Sequence, residues 1–339
     1  MSRNTILVTG GAGFIGSELT RQLCETKNHI VVVDNLVNAR RENLEGLPVD
    51  QVQLVVTDIR DQDRMTRLLY GVKVVYHLAC LGVRHSIHAP EENHAVNATA
   101  TLQLLKLARE AGVSRFVCVS SSEVYGTARW TPMNEDHPTY PMTVYGASKL
   151  AGECYTRAFY RTYGYSTVVI RPFNTYGPRS HHEGDSGEVI PKFLLRAMTN
   201  HPLVIFGDGT QTRDFTYVSD TARGILLAGF SDQAIGETIN LGYGAEISIN
   251  DLAQRIVRLL NKPNVPIMYD APRPGDTLQL YADTTKAKKL LGYEPHVNLD
   301  EGLQNLSTWY SSLGISPEIL LKNEEVHNWQ PGERQIHDQ

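Results

Sequence analysis

The N-terminal half of the chain alternates short apolar runs with longer segments of helical periodicity, and this alternation constrains the fold more than any other feature. Each run is almost continuously apolar, which is typical of strands in a parallel sheet covered on both faces. Strands are predicted at residues 5–9, 30–34, 53–57, 72–78, 116–120 and 167–171. Helices are predicted between them at 14–25, 61–69, 93–111 and 144–163, and further helical stretches are predicted near 189–199, 218–230 and 249–260. This order predicts an α/β protein with a doubly wound parallel sheet.

A glycine-rich turn joins the first predicted strand to the helix that follows. Gly10, Gly13 and Gly16 allow a tight turn and let backbone N–H groups at the helix N-terminus approach a pyrophosphate. Asp34 ends the second strand, 18 residues after Gly16, where a carboxylate accepts hydrogen bonds from both ribose hydroxyls and repels a 2′-phosphate. The pattern favours NAD over NADP. The alternative is a structural turn with a helix-capping aspartate.

Composition and charge exclude several classes of protein. The chain has 32 basic and 37 acidic side chains, a net charge of -5, so it has no general attraction to nucleic acid or to an anionic membrane surface. No apolar run approaches the roughly 20 residues of a membrane span, and no signal-peptide core is recognisable. Cys24, Cys80, Cys118 and Cys154 lack a CxxC spacing, and we interpret them as reduced, buried thiols of a cytoplasmic protein.

Tyr145 and Lys149 are four residues apart at the start of a predicted helix, so their side chains share one face. A lysine ammonium beside a phenol lowers the pKa of the phenol from about 10, as acid–base chemistry on an alcohol requires. A run of three serines begins at Ser120, where a predicted strand ends at the ligand-binding edge of the sheet. We expect these residues to form one acid–base site.

Several motifs occur in a fixed order: TGGAGFIG, SSSEVYG, YGASK, RPFNTYGPR, then FGDGTQTRDFTYVSD from Phe206 and RPGD from Arg273. Through them the chain, from Thr9 to about Gly302, resembles the extended short-chain dehydrogenase/reductase family, specifically its NAD-dependent nucleotide-sugar epimerases, dehydratases and decarboxylases. The resemblance implies a bound NAD that takes a hydride from sugar C4 and returns it before the product leaves.

The resemblance also implies two domains. A Rossmann domain is expected at residues 1–175, with segments near 205–245 returning to it, and a smaller α/β C-terminal domain at 176–325 is expected to bind the nucleotide sugar. Residues 326–339 are predicted to form a polar, poorly packed tail. The two long helices at 93–111 and 144–163 suggest a homodimer.

The same resemblance implies the site residues. Ser121, Tyr145 and Lys149 form the expected catalytic triad, with Tyr145 as the base and with Ser122 and Glu123 acting beside it. Besides Tyr145 and Lys149, the expected cofactor contacts are Gly10, Gly13, Phe14, Ile15, Gly16, Asp34, Asn35, Asp58, Ile59, Leu78, Ala79, Cys80, Asn97, Val119, Ser120 and Pro172. The expected substrate contacts are Arg84, Asn174, Val189, Lys192, Val204, Phe206, Arg213 and Arg273. A turn residue is the alternative for Asp58.

The anionic substrate and the histidines need separate interpretations. Arg213 and Arg273 would gather positive charge for a nucleoside diphosphate, with UDP favoured, and surface ion pairs are the alternative for both. His181, His182, Glu183 and Asp185 lack regular ligand spacing in a glycine-rich loop, so no metal is predicted.

Glu123 bears on the reaction that follows oxidation at C4. In family 4,6-dehydratases this position is typically glutamate, which removes the acidic C5 proton. In 4-epimerases of the family, the residues at the positions of Ser122 and Glu123 are typically small or carry a hydroxyl group. Ser122 departs from the aspartate of glucose-type dehydratases, although mannose-type and some N-acetylglucosamine-type dehydratases carry serine there. A carboxylate that binds neighbouring backbone is the structural alternative for Glu123.

Other motifs favour other reactions. Asp34-Asn35-Leu36 and residues 79–86 look more like the 4-epimerases, whereas UDP-glucuronate decarboxylases share the Ser-Glu pair but lack the Asp that follows Arg213. We therefore expect a UDP-sugar 4,6-dehydratase, with a UDP-sugar 4-epimerase as the main alternative. A UDP-glucuronate decarboxylase and a non-catalytic NAD-binding protein remain further alternatives.

Overall fold

A computed structural model of the chain describes residues 4–184, 186–273, 276–327 and 329. The strands are β1 (Thr5–Thr9), β2 (His29–Asp34), β3 (Val52–Val56), β4 (Val72–His77), β5 (Arg115–Val119), β6 (Thr167–Pro172), β7 (Asn174–Tyr176), β8 (Leu203–Phe206), β9 (Thr212–Arg213), β10 (Phe215–Tyr217), β11 (Thr238–Leu241), β12 (Ile247–Ser248), β13 (Ile267–Asp270) and β14 (Gln279–Leu280). The helices are α1 (Phe14–Glu25), α2 (Gln62–Leu69), α3 (Val83–His88), α4 (Pro90–His94), α5 (Ala100–Glu110), α6 (Val144–Tyr163), α7 (Val189–Met198), α8 (Val218–Phe230), α9 (Ile249–Leu259), α10 (Thr285–Leu291), α11 (Leu299–Ser312) and α12 (Pro317–Leu321).

Seven strands form one parallel sheet in the order β11-β6-β5-β4-β1-β2-β3. Helices α1, α8 and α10 pack on one face, and α2, α5 and α6 on the other. The doubly wound fold is therefore confirmed, and it explains why the strands are apolar throughout. The strand order reverses between β1 and β4, and ligands of such sheets bind at the carboxyl ends of the strands at this point.

A second region of the molecule lies outside the large sheet and comes mainly from the later part of the chain. It contains β8 paired with β13, β9 between β12 and β14, and helices α7, α9 and α11 around an apolar core of its own. Core residues include Phe193, Leu203, Leu252 and Leu306. Strand β11 and helix α8 pack with the large sheet although they come late in the chain. This region is the smaller α/β part of the fold.

The structure differs from the sequence expectations in several elements. The helix expected at 93–111 is interrupted by a π-helical turn at Ala95–Thr99 between α4 and α5. Helices α3, α10, α11 and α12 are additional because short or strongly polar segments give a weak periodic signal. Cys80 and Cys154 are exposed and Cys24 is half-buried, so among the four thiols expected to be buried only Cys118 is buried.

Described residues in and just before the expected polar tail at 326–339 make packing contacts. Glu324 forms an ion pair with Arg196, and the Trp329 side chain is 9% exposed. An indole buries a large apolar area when it finds an aromatic partner, so this part of the segment packs. Residues 328 and 330–339 lie outside the described residues.

Within the described part of the chain, no helix combines the length and the apolar character that a membrane crossing needs.

Candidate active site

One cavity of about 620 Å³ runs from the glycine turn after β1, past Tyr145, to Phe206 and Arg273 in the smaller region. This volume lies in the range of small-molecule and cofactor sites. Every residue expected to bind cofactor or substrate lines it except Asn97. The expected acid–base residues and the glycine turn therefore share one cavity.

The glycine turn is shaped by close backbone approach. Gly10 has φ +70° and its amide donates to the carbonyl of Val33 at 2.8 Å, while a Cβ at this position would lie 2.7 Å from the Ala79 nitrogen. A Cβ on Gly16 would overlap the Gly10 carbonyl oxygen. Helix α1 begins after Gly13 with no side-chain cap. Its first N–H groups thus face the cavity as an anion site, which fits the pyrophosphate of a dinucleotide.

Asp34 lies at the end of β2, where its carboxylate accepts hydrogen bonds from the amides of Ala12 at 3.1 Å and Leu36 at 2.9 Å. Burial raises the pKa of Asp34, and the two amides oppose that change. Asp58, by contrast, forms an ion pair with Arg60 at 2.7 Å and accepts a hydrogen bond from the Asn35 amide at 3.3 Å. Asp34 is thus held beside the glycine turn, and Asp58 is a paired residue of the neighbouring loop.

Asn97 lies behind the cavity rather than in its wall. It is 3% exposed. Its side-chain oxygen accepts a hydrogen bond from the Leu81 backbone amide, and its side-chain nitrogen donates to the Leu81 carbonyl and to the Ser148 hydroxyl. It therefore supports the loop after β4, which carries Ala79 and Cys80 along the cavity. In this structure Asn97 does not line the cavity, because the buried loop amide needs its own hydrogen-bond partner, and a direct contact with the cofactor stays a prediction.

Tyr145 and Lys149 lie on one face of α6, whose N-cap Thr143 accepts a hydrogen bond from the Gly146 amide at 3.1 Å. The Ser121 hydroxyl is hydrogen-bonded to the phenol. Lys149 is buried, and its ammonium donates to the Val119 carbonyl at 2.6 Å. Burial raises the pKa of Tyr145, with the hydrogen bond from Ser121 opposing it. The direction of this change is opposite to the lowered pKa expected from the sequence, while Ser121, Tyr145 and Lys149 line the same cavity.

Glu123 lies in the same cavity, in the turn that follows the triad serine. Its amide donates to the Ser121 hydroxyl at 3.2 Å, and Ser122 beside it is buried. Burial raises the pKa of Glu123, while Arg213 and Arg84 lower it. Its charge in turn raises the pKa of Tyr145. A carboxyl group with an elevated pKa beside the phenol is a candidate acid or base.

A buried network holds this turn against α6. Glu153 accepts two hydrogen bonds from the Arg171 guanidinium, at 2.9 and 2.6 Å. Arg171 also donates to the Tyr125 hydroxyl at 2.7 Å, which donates to Asn240 at 2.8 Å. The network joins the serine turn to β6, β11 and α6, so it positions Glu123 relative to Tyr145.

Charged side chains line the substrate half of the cavity. Arg213, 9% exposed, pairs with Asp276 at 2.6 Å, and the guanidinium of Arg273 has a buried Nε with no hydrogen-bond partner among the described residues. Asn174 likewise has a buried Oδ1 without such a partner. Lys192 lines the cavity, but its ammonium donates to the Glu325 carbonyl at 2.6 Å. Unpaired buried groups in a cavity indicate a polar ligand.

Sequence reasoning missed two acidic residues of this half. Asp276 belongs to the RPGD motif but has no sequence signal of its own, and Glu188 precedes α7 with its side chain in the cavity. Burial raises the pKa of Glu188 to about 8, and Arg84 lowers it. Its position just before an apolar helical run was the available signal, but capping explains that equally well.

The histidine cluster at 181–183 lies in the segment between β7 and α7. Asp185 lies outside the described residues. In the described ranges no three His, Cys, Asp or Glu side chains are placed to hold a metal ion.

Comparison with known proteins supports the same class of fold and site. A family model described as GDP-mannose 4,6 dehydratase matches residues 7–306. A UDP-glucose 4-epimerase of Mycolicibacterium smegmatis is 37% identical over 302 residues, which cover 88% of this chain and 95% of that protein. UDP-glucuronic acid decarboxylase 1 of Arabidopsis thaliana is 34% identical over 311 residues, 90% of this chain and 69% of that protein.

Among solved structures, the dTDP-glucose 4,6-dehydratase DesIV of Streptomyces venezuelae, crystallised with NAD, superposes with a TM-score of 0.86. It is 33% identical and covers 91% of this chain and 97% of its own. The sheet, the glycine turn and the Ser–Tyr–Lys triad define the short-chain dehydrogenase/reductase class. The chain belongs to the GDP-mannose 4,6-dehydratase family, which groups it with the extended nucleotide-sugar epimerases and dehydratases of that class.

Proposed function

We propose that this protein is an NAD-dependent nucleotide-sugar 4,6-dehydratase whose substrate is a UDP-sugar. The chain is an enzyme of the epimerase and dehydratase family, and NAD is its cofactor. The finer assignment is supported above all by Glu123, an ionisable carboxyl group beside Tyr145 in the cavity.

The cofactor half fits NAD. The buried Ser120 hydroxyl lacks a hydrogen-bond partner among the described residues, the α1 N-terminus is uncapped, and Asp34 lies at the end of β2. The chemistry that NAD supplies when bound is acceptance of a hydride from sugar C4 and its later return, which in a dehydration is to C6 after loss of the hydroxyl, while C5 takes a proton from solvent. Gly10, Gly16, Asp34 and Lys149 would hold it.

The chain's own residues move protons. Tyr145 accepts the proton of the C4 hydroxyl, and Ser121, hydrogen-bonded to the phenol, aligns that hydroxyl. Lys149, one turn along α6, supplies positive charge on the same helix face. A ketone at C4 makes the C5 proton acidic, so a base near C5 completes the elimination of the C6 hydroxyl.

Glu123 is our candidate for that base. It must be ionised to accept the proton, and Arg213 and Arg84 favour its charged form against the effect of burial. After transfer, the carboxylic acid becomes a donor that can protonate the departing C6 hydroxyl. Ser122, buried beside it, is placed to assist by hydrogen bonding.

A 4-epimerase is the second candidate, and the sequence comparison favours it. The Mycolicibacterium relative at 37% identity is a UDP-glucose 4-epimerase. Epimerisation needs the triad and room for the sugar to rotate, but it needs no base at C5. Glu123 would then transfer no proton in the reaction.

Product analysis in deuterated water separates the two candidates. The purified protein is incubated with UDP-glucose, UDP-N-acetylglucosamine and UDP-glucuronate, and the products are examined by NMR. A 4-keto-6-deoxy product with deuterium at C5 is expected for dehydration. An inverted C4 without solvent label would establish epimerisation instead, and loss of carbon dioxide from UDP-glucuronate would establish decarboxylation.

Glu123→Gln tests the role of the carboxylate. We expect dehydration to fall about 10²- to 10⁴-fold while oxidation at C4 continues, visible as near-ultraviolet absorbance of the reduced cofactor. Glu110→Gln, a substitution on the exposed surface of α5, is the control and should turn over normally. Normal dehydration by Glu123→Gln would remove the main support for the proposal.

A further inference from the structure

The described residues 324–327 and 329, which we call the C-terminal strap, lie along the nucleotide end of the cavity. Glu324 and Val326 line that cavity together with Phe206 and Arg273. The backbone of Glu324 also forms an isolated parallel β-bridge with Gly184. The Gly184 amide donates to the Asn323 carbonyl at 2.9 Å. The strap is therefore part of the wall of the substrate site.

Polar contacts fasten the strap to α7. The carboxylate of Glu324 accepts a hydrogen bond from the Arg196 guanidinium at 2.8 Å, and both side chains are largely buried. The Lys192 ammonium donates to the Glu325 carbonyl at 2.6 Å. Further on, His327 pairs with Asp270 at the end of β13 at 2.8 Å. Contacts on both sides of the cavity end fix the course of the strap across it.

Trp329 packs against the residues that lie at the nucleotide end. Its ring meets the Phe206 ring edge to face, with centroids 4.5 Å apart. The Arg273 guanidinium lies 5.2 Å from the Trp329 ring centroid and 5.1 Å from that of Phe206. Such stacking favours a guanidinium and restricts its orientation.

Arg273 needs such support. Burial and the nearby charges of Arg84 and Arg213 disfavour its cationic form, and they lower its pKa to about 10. Asp276 and Glu123 are the acidic neighbours that oppose them, but Asp276 is engaged by Arg213. The buried Nε of Arg273 has no hydrogen-bond partner among the described residues. Two aromatic faces thus supply the contact that holds the guanidinium at the cavity.

From this arrangement we infer that Trp329 is a positioning residue for nucleotide binding, which holds Arg273 in place to bind the phosphates of a nucleoside diphosphate. The inference rests on the proposed nucleotide-sugar substrate. It assigns a binding role to the C-terminal strap, outside the region that matches the family model.

Calorimetric titration of the NAD-loaded, full-length protein with UDP tests the inference. Trp329→Ala should weaken UDP binding about 5- to 30-fold, the range of a desolvated cation–π contact. Trp329→Phe keeps an aromatic face and should bind within about 2-fold of the unsubstituted protein. Trp130→Phe, at a partly exposed indole far along the sequence from the strap, is the control and should not change binding.

A double-mutant cycle distinguishes positioning from a general loss of structure. If Trp329 acts through Arg273, then Trp329→Ala should cause little further loss in an Arg273→Ala background, and the melting temperatures of the single variants should stay close. Additive losses, or UDP binding unchanged in Trp329→Ala, would overturn the inference. If the unsubstituted protein binds none of UDP, dTDP and GDP, the proposed function fails as well, so the two failures are distinguishable.

Discussion

The cofactor half and the substrate half of the cavity are built by different means. The cofactor half is made largely of backbone: the turn from Gly10 to Gly16 and the ends of β1, β2 and β4. Its shape follows from local conformation, because a Cβ on either glycine would meet other backbone atoms. The sheet holds these strand ends in register, so the site needs few side-chain contacts.

The substrate half is made of charged side chains that come from separate segments of the chain. Arg84 and Arg213 are far apart in sequence, yet both act to lower the pKa values of Glu123 and Arg273, and Arg84 also acts to lower that of Glu188. Nearby charges stabilise the carboxylates and disfavour the Arg273 cation, so the role of each group depends on contacts that sequence spacing does not reveal. A binding site built of backbone can therefore be predicted from neighbouring residues in the sequence, whereas a cluster of charged side chains from distant segments cannot.

Tyr145→Phe should have the largest effect, because Tyr145 lies where the two halves meet. Loss of the proton acceptor should lower turnover about 10²- to 10⁴-fold or more and leave the affinities for NAD and UDP nearly unchanged. Steady-state kinetics and calorimetry measure both quantities. Tyr163→Phe, at an exposed ring on the same helix, is the control, and substantial turnover by Tyr145→Phe would contradict the triad.

Gly16→Ala should weaken NAD binding without changing the substrate half of the cavity. The added methyl would collide with the Gly10 carbonyl oxygen, and relief by shifting the turn should weaken NAD binding about 10- to 100-fold. Fluorescence titration with NAD provides the measurement. Gly112→Ala, at an exposed turn outside the cavity, also adds a methyl with nothing within 4 Å and should bind NAD normally, so equal losses in both variants would argue against a backbone-built site.

Arg213→Ala and Asp276→Asn test whether Arg213 binds the diphosphate or only forms a structural ion pair with Asp276. If Arg213 binds the diphosphate, Arg213→Ala should raise KM about 10- to 100-fold, as expected for loss of a charged hydrogen bond, whereas Asp276→Asn should leave KM similar or lower. If the pair at 2.6 Å is only structural, both variants should lower the melting temperature alike and shift KM equally.

The smallest effect expected is a pH dependence that Glu123 imposes on dehydration. Burial raises the pKa of Glu123 above its usual 4.5, and the base acts as the carboxylate. Turnover should therefore rise as pH increases through this raised pKa and fall about 10-fold per pH unit below it. NAD binding should not follow this profile, and a rate that stays flat across the acidic range would exclude Glu123 as the base.

Residues close in sequence were predicted well where one element decides their geometry. Tyr145 and Lys149 share a face because they are one helical turn apart, and Gly10 and Gly16 share a turn that only glycine allows. Asn97 was predicted to face the cofactor, yet its amide supports the Leu81 backbone. That difference follows from a hydrogen-bond requirement of the packed loop, which spacing does not express.

By itself, the sequence determined the parallel sheet, the glycine turn, Asp34 and the catalytic helix, because periodicity and local conformation are encoded over a few neighbouring residues. Tertiary structure alone decided the pairing of Arg213 with Asp276, the placement of Glu188 and the packing of Trp329 on Arg273. These contacts join distant segments, and their energies depend on burial and on neighbouring charges that exist only once the chain is folded.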